Sequence, residues 1–159
     1  EVVVRAPWLT QGYLKDPVNS ETLWRGGWLH TGDIGHIDAD GYLKVTDRIK
    51  DVIKTGGEWV SSLELENLIL SHPQVVEAAV IGIPDPVWGE RPLALVVVRD
   101  GAGQGIPEKI RKLLQDKAAA GVISKWAVPE QIKVVESIAK TSVGKLNKKV
   151  LRDQYGQSS

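Results

Sequence analysis

The residues best equipped for chemistry lie near the end of the sequence, in Lys140-Thr141-Ser142-Val143-Gly144-Lys145. The apolar spacing Leu146, Val150, Leu151, Tyr155 predicts a short amphipathic helix from Leu146. Lys145 would then stand at its amino end, beside backbone N–H groups with no partner inside the helix. A lysine there faces the positive end of the helix dipole, which costs up to about 1 kcal/mol. An anion would offset that cost. Lys148, Lys149 and Arg152 fall in the same turns, so the segment suits a phosphate or carboxylate. A solvated basic helix face fits the same residues.

Two look-alikes fail on single positions. A phosphate-binding P-loop needs Gly-x-x-x-x-Gly-Lys-Ser/Thr, but Ala139 holds the first glycine position and Leu146 replaces the hydroxyl residue. Gly101-Ala102-Gly103-Gln104-Gly105 follows an apolar strand and precedes a helix, yet Ile106 sits where the dinucleotide fingerprint needs its third glycine. That stretch reads as a flexible connector.

Composition narrows the function classes. The chain has 159 residues, 42% hydrophobic and 25% charged, enough for one substantial core. Twenty basic residues balance twenty acidic ones, which argues against a dedicated nucleic-acid binder. There is no cysteine, hence no disulfide frame, no thiolate nucleophile and no Cys-based metal site, which fits a cytoplasmic protein. His30, His36 and His72 are scattered without metal-ligand spacing, so no metal site is expected. No apolar run approaches the roughly 20 residues of a transmembrane segment, so none is expected, and no signal peptide is expected in these residues. The start at Glu1-Val2-Val3-Val4 and the lack of any methionine read as an excised piece of something longer.

The elements that would position these residues fall into two textures. Residues 1–46 read as short strands and turns: Val2 to Arg5, Gly12-Tyr13, Trp28 to His30, Gly35 to Ile37, an Asp38-Ala39-Asp40-Gly41 turn, then Tyr42 to Thr46. No helix of useful length is expected there. The Val2-Val3-Val4 edge is an aggregation risk and a contact through which a homodimer could form. From Asp47 the texture is α+β. Val52-Ile53 leads to a Gly56-Gly57 turn, and Ser61-x-x-Glu64 is a capping box for a helix with Leu65, Leu68 and Ile69 inward, closed by His72-Pro73. Val75 to Ile83 and Leu93 to Val98 are strands around a Pro84-Asp85-Pro86 loop. Pro107 starts a helix with Ile110, Leu113 and Leu114 inward, and Ile132 to Val135 is a further strand.

Four segments, in order across nearly the whole chain, resemble the carboxy-terminal part of the adenylate-forming acyl-CoA synthetases. They are Thr31-Gly32-Asp33-Ile34-Gly35, the run Asp47 to Trp59, Ser62 through Glu66, and Thr141 to Lys145. The wording Lys54-Thr55-Gly56-Gly57-Glu58-Trp59 is most similar to the fatty acyl-CoA ligase branch. The resemblance implies a small mixed α/β domain with an antiparallel sheet and packed helices over 47–159. A β-rich remnant of a larger amino-terminal domain, 1–46, would precede it.

The same resemblance implies a two-step ligase. A carboxylate attacks the α-phosphate of ATP to give an acyl adenylate and pyrophosphate, and the thiol of CoA then displaces AMP, with the small domain swinging between the steps. Carried over by position, Asp33 and Arg48 would bind the nucleotide, Asp33 by accepting two ribose hydroxyls. Asp47 would be the hinge, and Lys145 would neutralise charge as carboxylate and α-phosphate meet. Gly56, Gly57, Glu58 and Trp59 would wall the tunnel for the pantetheine arm of CoA, where glycine lets backbone approach a ligand. Lys50 and Lys54 could hold phosphates or form ion pairs.

Taken by residue chemistry alone, Asp33 could equally be a turn cap, Arg48 a surface ion pair, the Gly-Gly stretch a tight hairpin and Trp59 a core anchor. The partners implied are the chain's own amino-terminal domain, ATP with Mg2+ ligated outside these residues, a fatty acid and CoA. By itself the piece should not catalyse the full reaction. A peptide-synthetase adenylation domain and a non-catalytic nucleotide-binding module are the alternatives. The polar ending Gln157-Ser158-Ser159 argues against the former, and zero net charge with no aromatic stacking array argues against the latter.

Overall fold

Residues 1–101 and 104–156 are described by the computed structural model, and their contacts divide the chain into two units, Glu1–Lys50 and Asp51–Ser159. Ala102 and Gly103 of the glycine connector and the ending Gln157-Ser158-Ser159 lie outside the described residues.

In the first unit, β1 (Val3–Val4) pairs antiparallel with β2 (Leu29–His30), so the valine segment has a partner strand. Between them runs a helix that the periodicity did not predict, α1 (Pro17–Leu23). Its signal is a cap rather than a stripe: the Asp16 carboxylate accepts the Asn19 N–H at 3.1 Å and Pro17 supplies a helical φ in the first turn. Since α1 buries none of its residues, no apolar spacing announces it. The Asn19 side-chain amide, at 2.6 Å, and then its backbone N–H hold the Asp16 carboxyl below the ordinary carboxylate range. Next come β3 (Asp33–Ile37) and β4 (Leu43–Arg48), an antiparallel hairpin closed by Asp38, whose Oδ1 accepts the N–H groups of Asp40 and Tyr42. The register passes from Ile34 opposite Asp47 to Gly35 opposite Val45, which leaves Thr46 as a β-bulge.

The second unit is α+β. Its strands are β5 (Ile53–Thr55), β6 (Glu58–Val60), β7 (Val75–Asp85), β8 (Gly89–Val98) and β9 (Gln131–Val134), and its helices are α2 (Ser62–Leu70), α3 (Ile106–Ala119) and α4 (Lys148–Tyr155). The sheet order is β6-β5-β8-β7, with β9 on the other side of β8 from β7. One amendment to the expected antiparallel sheet follows. Strand β9 runs parallel to β8, because α3 returns the chain to the same end of the sheet before β9 begins. Strand β7 also runs on through Pro84 and Asp85, residues expected in a loop. As an outer strand it tolerates a proline without losing a ladder bond on its free side.

Both faces of this sheet are covered, which explains its long apolar runs. Ala78, Val80, Ala94 and Val96 point toward Leu65, Ile69, Ile110 and Leu114 of α2 and α3. The alternate residues Ala79, Ile81, Leu93 and Leu95 face Ile138, in the segment leading into α4, and Leu151 of α4 itself. Each fully buried Leu or Ile here contributes about 1.5–3 kcal/mol. The expected start of α2 is capped by Ser61, whose Oγ accepts the Glu64 N–H at 3.1 Å.

The last helix starts later than its apolar spacing suggests. Leu146 forms a β-bridge with Lys140, and Asn147 is the N-cap, its Oδ1 accepting the Val150 N–H at 3.3 Å. Lys145 therefore precedes α4 and does not face its dipole.

Candidate functional site

The expected nucleotide contacts of the first unit come together through strand register. Asp33 on β3 and Arg48 on β4 are direct partners, and Arg48 Nε lies 3.3 Å from Asp33 Oδ1. The side chains are 57% and 30% exposed, so this pair is worth little to stability. Both side chains are exposed enough to stay open to a polar ligand. Asp47, next to Arg48, is buried. Its Oδ1 accepts the Arg48 N–H at 2.7 Å, and the Thr46 bulge lies on its other side. Lys50 is exposed at the end of this unit and forms no ion pair among the described residues.

The Gly56-Gly57 turn of the second unit joins β5 to β6 as a two-residue hairpin loop, Thr55 pairing with Glu58. Both glycines have positive φ, 58° and 83°, the requirement of the tightest hairpin turn. Gly56 donates its N–H to the Trp88 carbonyl at 3.0 Å, and a Cβ there would approach the Trp88 ring to 3.2 Å. Nothing lies within 4 Å of where a Gly57 Cβ would be, so that side of the loop is open. Trp59 is no core anchor. It is 62% exposed, pairs in register with Lys54, and lies 5.6 Å beneath the Lys54 ammonium. The strand is too short and too near the edge to bury an indole on its outer face. Glu58 is exposed beside it.

A second aromatic pair, not singled out by the sequence, backs this loop. Trp88 and Trp126 have ring centroids 4.6 Å apart at 37°, with Lys125 Nζ 4.8 Å over Trp126. The two come from segments 38 residues apart, so no local spacing could reveal them.

Lys145 closes a turn of exposed residues, 141–145. Thr141 donates its N–H to the Lys145 carbonyl at 2.7 Å, Gly144 donates to the Thr141 carbonyl at 2.9 Å, and the Lys145 N–H reaches Thr141 Oγ1 at 3.2 Å. Gly144, at φ 79°, makes the reversal. The Lys145 side chain forms no ion pair among the described residues.

Half of the basic cluster expected around Lys145 is committed elsewhere. Lys148 Nζ lies 2.7 Å from Glu66 Oε1 and donates to Ser62 Oγ at 2.8 Å, and Arg152 meets Asp51 at 2.8 Å. Lys140, at the other end of the turn, meets Glu77 at 2.6 Å. Only Lys145 and Lys149 of that cluster remain for an external anion, so the four-cation patch is corrected to two. The Glu66 partnership was legible in principle. Ser62, Leu65, Glu66 and Ile69 have the i, i+3, i+4, i+7 spacing of a buried stripe, and all four are buried. A glutamate in such a stripe needs a cation.

Among the described residues no group of three His, Asp or Glu side chains gathers as a metal site. Among them, too, no helix is long and apolar enough to cross a membrane.

Comparison with known proteins supplies the context for this geometry. The AMP-binding enzyme C-terminal domain matches residues 64–145. A long-chain-fatty-acid–CoA ligase of Thermus thermophilus is 44% identical over 156 residues, 98% of this chain and 28% of that ligase. A 3-methylmercaptopropionyl-CoA ligase of Ruegeria lacuscaerulensis is 39% identical, again over 98% of this chain and 27% of its own length. Among solved structures, the amide bond synthetase McbA from Marinactinospora thermotolerans superposes with a TM-score of 0.83 at 40% identity, covering 96% of this chain and 30% of that one. The chain thus spans somewhat over a quarter of the length of the relatives it matches.

Proposed function

The chain belongs to the AMP-binding enzyme C-terminal domain family, whose members here include acyl-CoA ligases, and from that premise we propose that it is the mobile carboxy-terminal portion of an ATP-dependent fatty acid–CoA ligase. Residues 1–46 would end the larger amino-terminal domain and 47–159 would form the part that turns, pivoting at Asp47.

Lys145 carries this reading. It is a lysine held at the end of a shaped turn, with an ammonium that no carboxylate among the described residues neutralises, while Lys140 and Lys148 on either side are paired. Where a carboxylate attacks the α-phosphate of ATP, two anions approach, and a preorganised cation lowers the barrier because it need not reorganise. Asp33 would accept the ribose hydroxyls and Arg48 would hold the nucleotide. The Gly56-Gly57 loop, with Glu58 and Trp59, would line the path of the pantetheine arm during the second step. Lys54, drawn to the Trp59 ring, would contribute charge there, and Lys50 would do so near the pivot. Mg2+ would be ligated by residues outside 1–159.

The fatty-acid assignment rests on the Lys54-to-Trp59 wording and the Thermus relative, while the other relatives act on different acids and, in one case, make amides. The test is pyrophosphate exchange with a panel of carboxylic acids. The full-length parent should exchange with fatty acids and release AMP when CoA is added. Residues 1–159 alone should melt cooperatively and exchange at background. Exchange by 1–159 alone would overturn the division of labour, and AMP release driven by amines but not by CoA would reassign the acceptor.

A further inference from the structure

We propose that Lys148, through Glu66 and Ser62, is the positioning residue for Lys145, fixing where the Lys145 turn stands against the sheet; the inference rests on the adenylation role proposed above for that lysine.

The hydrogen bonds inside residues 141–145 shape the turn but do not locate it, since each joins one turn residue to another. Location must come from its two stems. The upstream stem is seated in the core by Ile138 and ends at Lys140, whose pair with Glu77, side chains 44% and 32% exposed, is a weak tether in water. The downstream stem passes through Asn147, whose N–H is held by the Ala139 carbonyl at 2.8 Å, into the first residue of α4, Lys148.

Lys148 is 12% exposed and Glu66 6%. The Glu66 oxygen that meets Lys148, Oε1, also accepts the Val80 N–H at 2.8 Å. One carboxylate oxygen therefore joins α2, the outer side of β7 and α4.

Stability alone does not explain such a pair, because well-packed apolar residues of similar volume often replace a buried ion pair without loss. Direction does. Elsewhere on α4, Arg152 meets Asp51 at 2.8 Å with a side chain 31% exposed, and Leu151 and Tyr155 pack on the Ile81 and Leu95 face, where apolar packing allows small slides and rotations. An ammonium held between Glu66 Oε1 and Ser62 Oγ has one seat. Lys145 lies three residues away, so a shift at the start of α4 moves the turn with it, and roughly 1 Å of misplacement can cost on the order of 100-fold in rate.

The test uses the full-length parent enzyme and the double variant Glu66→Gln/Lys148→Met. Gln retains an acceptor for the Val80 N–H, Met retains the unbranched lysine stem as far as Cε, and neither leaves a lone buried charge. This variant should melt cooperatively. Its adenylation kcat should fall on the order of 10-fold to 100-fold with little change in KM for ATP. Thioester formation from supplied acyl adenylate and CoA should stay near the wild-type rate, and Lys148→Arg should keep most of the adenylation rate.

A double variant that adenylates at the wild-type rate, or loses both half-reactions by the same factor, overturns the proposal. Lys145→Ala run in parallel separates the layers. If it leaves adenylation intact, the lysine reading fails and the positioning role falls with it. If it abolishes adenylation while the double variant does not, positioning alone is refuted.

Discussion

The second unit presents two tight turns that equip it in opposite ways. At Gly56-Gly57 the chain removes side chains and exposes backbone, with an indole behind it and another beside it. At Thr141–Lys145 it uses hydrogen bonds to aim one long charged side chain outward. The glycine loop adjoins Gly89, where β8 begins, whereas Lys140 at the base of the lysine turn meets Glu77, the partner of Val97 near the end of β8. At ~3.3 Å per residue, Gly89 and Val97 stand about 26 Å apart. Two tips so far apart on one rigid hairpin cannot reach the same atom at once. If both serve one reaction centre, the unit must turn between steps, and each tip should matter for one step only.

The largest expected effect comes from removing the charged tip. Lys145→Ala in the full-length parent should lower adenylate formation by on the order of 100-fold to 1000-fold, the scale for losing one preorganised charge-stabilising donor. Thioester formation from supplied adenylate should be nearly spared. Rapid-quench measurement of each half-reaction decides this, and equal loss in both would abolish the contrast between the turns.

Gly57→Val probes the other tip and should do less. The left-handed φ of 83° costs a β-branched residue about 1–3 kcal/mol, although no neighbour obstructs its Cβ. The thiol step should suffer more than the first, with circular dichroism confirming the fold. A variant slowed only in adenylation would reverse the assignment of the tips.

The smallest and most diagnostic effect is at the pivot. Asp47→Pro fixes φ near −65° and removes the backbone donor, disfavouring one orientation over the other. The two half-reactions should then separate by several-fold. Equal slowing of both with unchanged melting would mean that the turn between steps is absorbed elsewhere.

Local chemistry made much of this legible. Ser61 with Glu64 marks the start of α2, Pro107 marks α3, and consecutive glycines mark the β5–β6 hairpin, because each signal acts within four residues. What escaped was decided at a distance. The start of α4 is displaced by the bridge from Leu146 to Lys140 and by the Asn147 bond to Ala139, neither of which an apolar period can encode. The parallel setting of β9 depends on where α3 returns the chain. Helix α1 was missed for a different reason: its Asp16-Pro17 cap was in plain view, but a helix that buries nothing has no stripe. For the candidate site, residue types suggested an anion-binding lysine but gave it the wrong companions. Lys148 and Arg152 answer to Glu66 and Asp51, acidic residues that lie 82 and 101 positions earlier.

The stacked tryptophans give the molecule an optical signature of its own. Two indoles with centroids 4.6 Å apart and planes at 37° couple their electronic transitions, so the pair contributes a signed band to the ultraviolet circular dichroism. Trp88 is also the ring against which Gly56 rests. A ligand at the glycine loop that displaced the Trp88 ring would change that band, a label-free signal that a titration followed by circular dichroism would read.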